Sequence, residues 1–298
     1  MTYEIFTQTL LTSLEEHFPL NTTISIQMIL HNNGISLDEL TILEPDFDIS
    51  PTIYLNKYYS LFKQGISFED IFNHILREYE QHRPIFPIDT SFFTKFENIE
   101  KRIVYKLIHF EKNKELLADI PYIPYLDLAI VFYCLIADTS AGSATILIHN
   151  AQVDTWDVDV QKLFELSMIN TPFLLAPVYE ELNRAILSFL PSSELDAYDI
   201  AADDPIPMYV LTNENKLNGA SCLLYQDLLK DIATRFDSDF YILPSSIHEV
   251  LLVPVDGDCY RHVFTPMVLE VNDTEVRSEE LLSDHVYYYS RKQNALTM

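Results

Sequence analysis

The N-terminal part of the chain changes from a helical to an alternating hydrophobic pattern. Apolar residues in 3–18 recur three and four positions apart, the spacing of one helix face. Residues 22–30 and 35–43 instead alternate apolar and polar side chains around Asn32-Asn33-Gly34. Asn-Gly supplies the positive φ angles of a tight turn. The pattern therefore predicts a helix followed by a β-hairpin.

Two further helices are predicted over residues 50–65 and 67–82. The second begins with Ser67 and Asp70, which resemble a capping box with Asp in place of Glu. Prolines at positions 84 and 87 then end the regular pattern. The predicted domains are an N-terminal lobe of helix, hairpin and two helices, residues 1–87, and a main domain, residues 88–298.

The main domain alternates short apolar runs with charged segments. Strands are predicted at 102–110, 126–137, 144–149, 208–211, 240–243, 250–253 and 286–289. Helices are predicted at 111–117, 160–169 (capped by Asp157 or Asp159), 179–190, 220–236 and 266–271, with an acidic surface loop at 191–207. Residues 126–137 are apolar almost throughout, which suits a buried strand and leaves a buried helix as the alternative.

This order of elements indicates the fold class. Strands and helices follow one another without a regular βαβ alternation or an internal repeat. We predict an α+β fold with a mixed, largely antiparallel sheet, helices mostly on one side of it, and the N-terminal helix/hairpin/helix lobe.

Charge narrows the choice of partners. The chain has 45 acidic and 19 basic residues among 298, a formal net charge of −26. Such a field repels phosphate backbones and anionic lipids, so direct nucleic-acid and membrane binding are disfavoured. A basic protein is the partner that this charge favours. The sequence does not indicate an oligomeric state.

Cysteine and glycine usage bear on compartment and cofactors. The cysteines at 134, 222 and 259 are odd in number and widely spaced, which indicates neither a disulfide framework nor a zinc knuckle. No secretory signal pattern or long apolar run is present, so a cytoplasmic protein is predicted. Five glycines leave no Gly-rich phosphate loop, and we predict no cofactor.

The most chemically suggestive stretch is the junction of two apolar runs, 240–243 and 250–253. Ser245, Ser246, His248 and Glu249 lie between these runs. In an extended chain Ser246 and His248 share a face and could act as nucleophile and base, whereas Glu249 points away. A turn in which serine hydroxyls bond to backbone amides is the alternative. The nucleophile hypothesis requires a hollow, open to solvent, at this junction.

Other polar residues near the same strands are weaker candidates. Asp284 and His285 precede the last predicted strand and could approach His248, but neighbouring residues in a strand face opposite ways, so we predict no metal site. Asn213 and Asn218 lie in a turn before a predicted helix, where free amides could bind an anion or simply cap the helix.

Several phrases of the sequence resemble, in the same order, a family of uncharacterised bacterial proteins known as a domain of unknown function. They are TIYLNKYYSLFKQG (52–65), PYLDLAIVFY (124–133), YVLTN (209–213), NGASCLLY (218–225), LPSSIHEV (243–250), VN (271–272) and LSDHVYYYSR (282–291). The resemblance covers most of the chain. It implies an acidic cytoplasmic protein from low-GC Gram-positive anaerobes and carries no known reaction or ligand.

Two functional hypotheses follow. The first is a non-enzymatic binding or regulatory module whose acidic surface meets a basic partner. The alternative is a hydrolase-like or metal-assisted enzyme centred on Ser246, His248 and the Asp284/His285 pair.

Overall fold

The computed structural model describes residues 1–45, 47–83, 90–139, 142–184, 207–244, 246–255 and 260–298. Over these ranges the chain forms helices and three antiparallel sheets, of three, four and six strands. The α+β class predicted from the sequence is confirmed. The acidic segment 191–207 lies almost entirely outside the described residues.

The N-terminal elements form a three-stranded sheet covered by helices. In order they are α1 (Tyr3–His17), β1 (Thr23–Leu30), β2 (Ser36–Leu43), β3 (Ile53–Tyr54), α2 (Leu55–Lys63) and α3 (Phe68–His82). The predicted hairpin is confirmed, with Thr23 paired to Leu43 and Leu30 to Ser36. Asn33 adopts a φ of 60°, as its turn requires. The hydroxyl of Ser67 caps α3 by accepting the amide N–H of Asp70.

The helix predicted from residue 50 begins later, at Leu55. Ile53 and Tyr54 pair with Leu40 and Glu39 and so extend the hairpin to a third strand. Backbone pairing with an existing strand outweighed the helix-start signal of Ser50-Pro51.

The four-stranded sheet is built around one long strand. Its elements and their neighbours are α4 (Phe96–Ile99), β4 (Ile103–His109), α5 (Lys114–Leu117), β5 (Tyr122–Tyr125), β6 (Leu128–Thr139) and β7 (Gly142–Leu147). Strand β6 pairs with β4 along one edge and with β5 and then β7 along the other. The strand interpretation of the apolar run 126–137 is thus confirmed. Its residues 128–134 are all buried, as expected for a central strand.

The six-stranded sheet comes mainly from the C-terminal part of the chain. The remaining elements are α6 (Asn150–Trp156), α7 (Val160–Leu174), β8 (Pro177–Glu181), β9 (Tyr209–Asn213), α8 (Leu228–Phe236), β10 (Phe240–Pro244), β11 (Val250–Pro254), α9 (Arg261–Thr274), β12 (Tyr287–Ser290) and β13 (Ala295–Thr297). The strand order is β13-β12-β10-β11-β9-β8. Strand β10 is central, and both of its neighbours are antiparallel to it.

Three predicted helices of this part are corrected. Residues 177–181 pair with β9 as a strand, so no helix begins at Tyr179. The helix predicted at 220–236 is a 3-10 helix, Gly219–Leu224, and a separate α8, because Asp227 has a φ of 58° between them. Helix α9 begins at Arg261, before Pro266. Of the two predicted caps of α7, Asp159 is the one that bonds, to the N–H of Lys162.

Alternate residues of β10 face two different cores. Phe240 and Ile242 belong to the largest hydrophobic cluster, which joins the four- and six-stranded sheets and includes Ile232 of α8. Tyr241 and Leu243 pack instead with residues of α9. A separate cluster holds the buried residues of the N-terminal elements, from Phe6 to Tyr79. The domain boundary near residue 87 stays a prediction, since separate cores do not establish independent folding.

Candidate functional site

The predicted site lies where β10 leads into β11. The connection is a tight loop, in which Ser246 N–H donates to the carbonyl of Glu249 at 3.2 Å. Ser245 lies outside the described residues. Ser246 is buried, while His248 and Glu249 are half-buried. The loop is therefore folded back on itself rather than extended, and the rule that alternate side chains share a face does not apply to it.

The Ser246 hydroxyl is used within the loop. It donates to Glu249 Oε1 at 2.7 Å and accepts the backbone N–H of His248 at 2.9 Å. Glu249 thus contacts Ser246, contrary to the extended-chain expectation. No bond joins the hydroxyl to the His248 ring among the described contacts. This geometry matches the alternative in which a serine hydroxyl closes a turn.

His248 is fixed at three points. Its Nδ1 accepts the backbone N–H of Asn218 at 3.2 Å, and its carbonyl accepts the Thr212 hydroxyl at 2.7 Å. Its Nε2 lies 3.8 Å from Glu280 Oε1, with 30% of the His248 side chain exposed. An Nδ1 that accepts a hydrogen bond leaves the ring proton on Nε2, facing the carboxylate. The ring therefore faces an acid, and among the described residues it is not hydrogen-bonded to a serine or cysteine nucleophile.

Gly219 is required by the close approach of this loop to β9. A Cβ added at residue 219 would lie 2.2 Å from the His248 carbonyl oxygen and 2.2 Å from Thr212 Oγ1. Both distances are far inside van der Waals contact, and one of the two atoms is backbone. The absence of a side chain at residue 219 thus allows the loop between β10 and β11, here called the junction loop, to pack against the end of β9.

The two asparagines of the candidate anion site have internal partners. Asn213 closes its own turn, since its Oδ1 accepts Leu217 N–H at 3.1 Å and its Nδ2 donates to the Leu217 carbonyl at 2.8 Å. The backbone N–H of Asn218 donates to His248. Both residues are buried. The contacts of Asn213 close the turn before the 3-10 helix, and the side chain of Asn218, the N-cap residue of that helix, makes no capping bond.

A second polar cluster surrounds Asp127, in the turn between β5 and β6. Its carboxylate accepts the Ser283 hydroxyl at 2.6 Å, the Tyr287 hydroxyl at 2.7 Å and His285 Nδ1 at 3.0 Å. Burial alone would raise the pKa of the Asp127 carboxyl, but these hydrogen bonds outweigh it and hold the pKa below its ordinary value. Asp127 is thus a half-buried, ionised acceptor.

His285 is the solvent-facing member of this cluster. Its side chain is 55% exposed, against 11% for Asp127. With Nδ1 held by the carboxylate, Nε2 is left to face solvent, which is the orientation of a general base supported by an acid. Its neighbour Asp284 points elsewhere, accepting Asn272 Nδ2 at 3.0 Å and Lys112 Nζ at 3.2 Å. Asp284 and His285 therefore have different partners.

Sequence reasoning did not single out Asp127, Ser283 or Lys112. Asp127 and Ser283 are 156 positions apart, and only the packing of the two sheets joins them. Within the described ranges, no three His, Cys, Asp or Glu side chains are grouped so that they could hold a metal ion. None of the described helices combines the length and the apolar character that a membrane crossing requires.

The fold and its two polar clusters define an α+β protein of antiparallel sheets, a class that by itself implies no reaction. The model of a family of unknown function, DUF5688, matches residues 3–291, and the chain belongs to that family. Comparison with curated proteins and with solved structures gave no match.

Proposed function

We propose that this protein is a non-enzymatic binding module whose acidic surface receives a basic protein partner. The observation that carries the proposal is the excess of 45 acidic over 19 basic residues. The polar groups of the junction loop support it indirectly, because Ser246 and Glu249 bond to each other and hold the loop. We also propose that the protein is located in the reducing cytoplasm of a low-GC Gram-positive bacterium.

The outer face of α9 is the surface that best fits such a partner. Val263, Met267 and Leu269 are 48%, 40% and 48% exposed there. Glu270 and Asp273 are exposed beside them. Apolar side chains give contact area, while carboxylates select a cationic partner.

The end of α9 is also electrostatically unfavourable on its own. Its last turn holds Asp273 but no basic residue, and the C-cap is Glu275. Negative charge at a helix C-terminus is disfavoured by the helix dipole. Lysine or arginine side chains of a partner would relieve this repulsion. We therefore propose that a basic, amphipathic segment of a partner protein binds the outer face of α9.

Charge reversal on α9 tests this proposal. The probe is a synthetic amphipathic helix of leucine and lysine, titrated by fluorescence anisotropy. We expect the double variant Glu270→Lys/Asp273→Lys to weaken binding about tenfold, since two favourable contacts become repulsive.

The control is Glu15→Lys/Glu16→Lys on α1, whose residues are also exposed and which changes the net charge by the same amount. This control is expected to weaken binding by less than about twofold. Equal weakening in both variants would mean that only the overall field attracts the peptide, and the α9 site would be rejected.

The Asp127–His285 pair favours a second candidate function, hydrolysis with His285 as general base. Nε2 of His285 would take a proton from water, and the half-buried Asp127 carboxylate would stabilise the imidazolium. Hydrolysis of 4-nitrophenyl acetate is the measurement. The enzyme hypothesis expects His285→Ala and Asp127→Asn each to lower the rate by about a hundredfold, with His262→Ala, an exposed histidine on α9, unchanged. Equal rates in all three variants would exclude it.

A further inference from the structure

Lys106 occupies the middle of β4, in a face that is otherwise apolar. Every other residue of β4 is buried, and Lys106 is half-buried. It pairs with Val131 of β6. Because side chains two apart on a strand share a face, Val104 and Ile108 flank it on the same side. The lysine stem thus rises between hydrophobic side chains.

These neighbours belong to two hydrophobic clusters. Val104 packs with Tyr133 and Leu135, and Ile108 packs with Val131. Lys106 lies at the border between the two clusters. A charged ammonium in such a setting is disfavoured unless an anion pairs with it.

No such anion is present among the described residues. Lys106 has no ion pair there, and burial is the one cause that lowers the pKa of its amine. Tyr133 of β6 pairs with Val104 and is therefore the diagonal neighbour of Lys106 on the same face of the sheet. Burial raises the pKa of its phenol to about 12, so Tyr133 is neutral at neutral pH and supplies no counter-charge.

We propose that Lys106 is a reactive amine that captures a small apolar aldehyde as an imine, a site that goes beyond the proposed binding function. The unprotonated nitrogen attacks the carbonyl carbon, and the carbonyl electron pair moves to oxygen. Proton transfer from nitrogen to oxygen gives a carbinolamine. Loss of one water molecule then leaves a C=N bond, so no oxidant or reductant is needed. The apolar neighbours select an aldehyde that carries no charge.

Reductive trapping tests the proposal. The full-length protein is treated with butanal and cyanoborohydride at a pH of about 6.5, where an ordinary lysine is almost fully protonated. Peptide mapping by mass spectrometry then gives the extent of labelling at each lysine. Lys101, which is exposed and lies in the short 3-10 helix Glu100–Arg102 just before β4, is the internal control.

We expect Lys106 to be labelled more than about twofold faster than Lys101, because burial lowers the pKa of the Lys106 amine and so raises its unprotonated fraction. Labelling of Lys106 at or below the Lys101 rate would overturn the proposal. That result would identify Lys106 as an ordinary lysine whose amine reaches solvent along the sheet.

Lys106→Met gives an independent test through stability. When the pKa of an amine is lowered in the folded state, the folded protein binds fewer protons than the unfolded chain does. The stability of the wild-type protein therefore rises with pH until the lysine of the unfolded chain also loses its proton, at about pH 10.4. Methionine keeps the apolar stem and removes the titration. We expect the variant to be at least as stable as wild type at neutral pH, with the difference shrinking as pH rises. A variant that is less stable at neutral pH and shows no pH-dependent difference would contradict the proposal.

Discussion

At the scale of single residues, Gly219 is the position where one added methyl group has the clearest consequence. Gly219→Ala would push Cβ into the His248 carbonyl oxygen and Thr212 Oγ1. We expect a loss of stability of about 3 kcal/mol, in the range of overpacked and broken backbone contacts. Urea denaturation measures it.

Ala220→Gly, at the neighbouring buried position, is the matched control for that variant. It creates a small void without a clash and is expected to cost about 1 kcal/mol. If Gly219→Ala were no more destabilising than this control, the close packing of the junction loop on β9 would be refuted.

The sequence predicts some of the polar residues of the two clusters but not the residues that they contact. Ser246, His248 and Glu249 could be singled out because they interrupt two apolar runs. The partners of His248 could not be predicted in this way, since Asn218, Thr212 and Glu280 come from other parts of the chain. The same limit applies to Asp127, whose donors Ser283, His285 and Tyr287 lie in β12 and the segment before it.

At the scale of elements, turn residues, helix caps and hydrophobic patterns predict the helices and strands that are stabilised by contacts between residues close in sequence. The β1–β2 hairpin, the capped helix α3 and the strands β10 and β11 are predicted because their turn, cap and apolar runs are each contiguous in sequence. Strands β3 and β8 were missed because their pairing partners, rather than their own composition, make them strands.

The hairpin turn also connects the N-terminal elements to the rest of the protein. Asn33 Nδ2 donates to the carbonyls of Ser278 and Leu281, each at 2.8 Å. Its Oδ1 accepts Asn113 Nδ2 at 3.0 Å, and its backbone N–H donates to Asn113 Oδ1 at 2.7 Å. These bonds tie the turn to two distant segments.

Asn33→Gly removes the side-chain bonds while keeping the left-handed backbone that the turn needs. We expect a loss of about 2 kcal/mol, since each hydrogen bond contributes about 0.5–1.5 kcal/mol net. Hydrogen exchange followed by mass spectrometry is expected to increase both around residue 33 and in 277–282. An increase confined to the hairpin would contradict the connection.

At the scale of the whole molecule, the net charge of −26 is the dominant property. Sequence alone gives its sign and size, and therefore the classes of partner that it disfavours. Sequence alone does not give its distribution, because the exposure of Glu270 and Asp273 beside Val263, Met267 and Leu269 depends on which face of α9 packs on the sheet.

Hydrogen exchange of the complex tests most directly whether a basic partner binds α9. The protein is measured with and without a saturating amount of the leucine–lysine helix, at low salt, where charged contacts are least screened. The account predicts slower exchange across 261–275, with α1 unchanged. Protection confined to other segments, or no protection at saturation, would contradict the assignment of this helix as the binding surface.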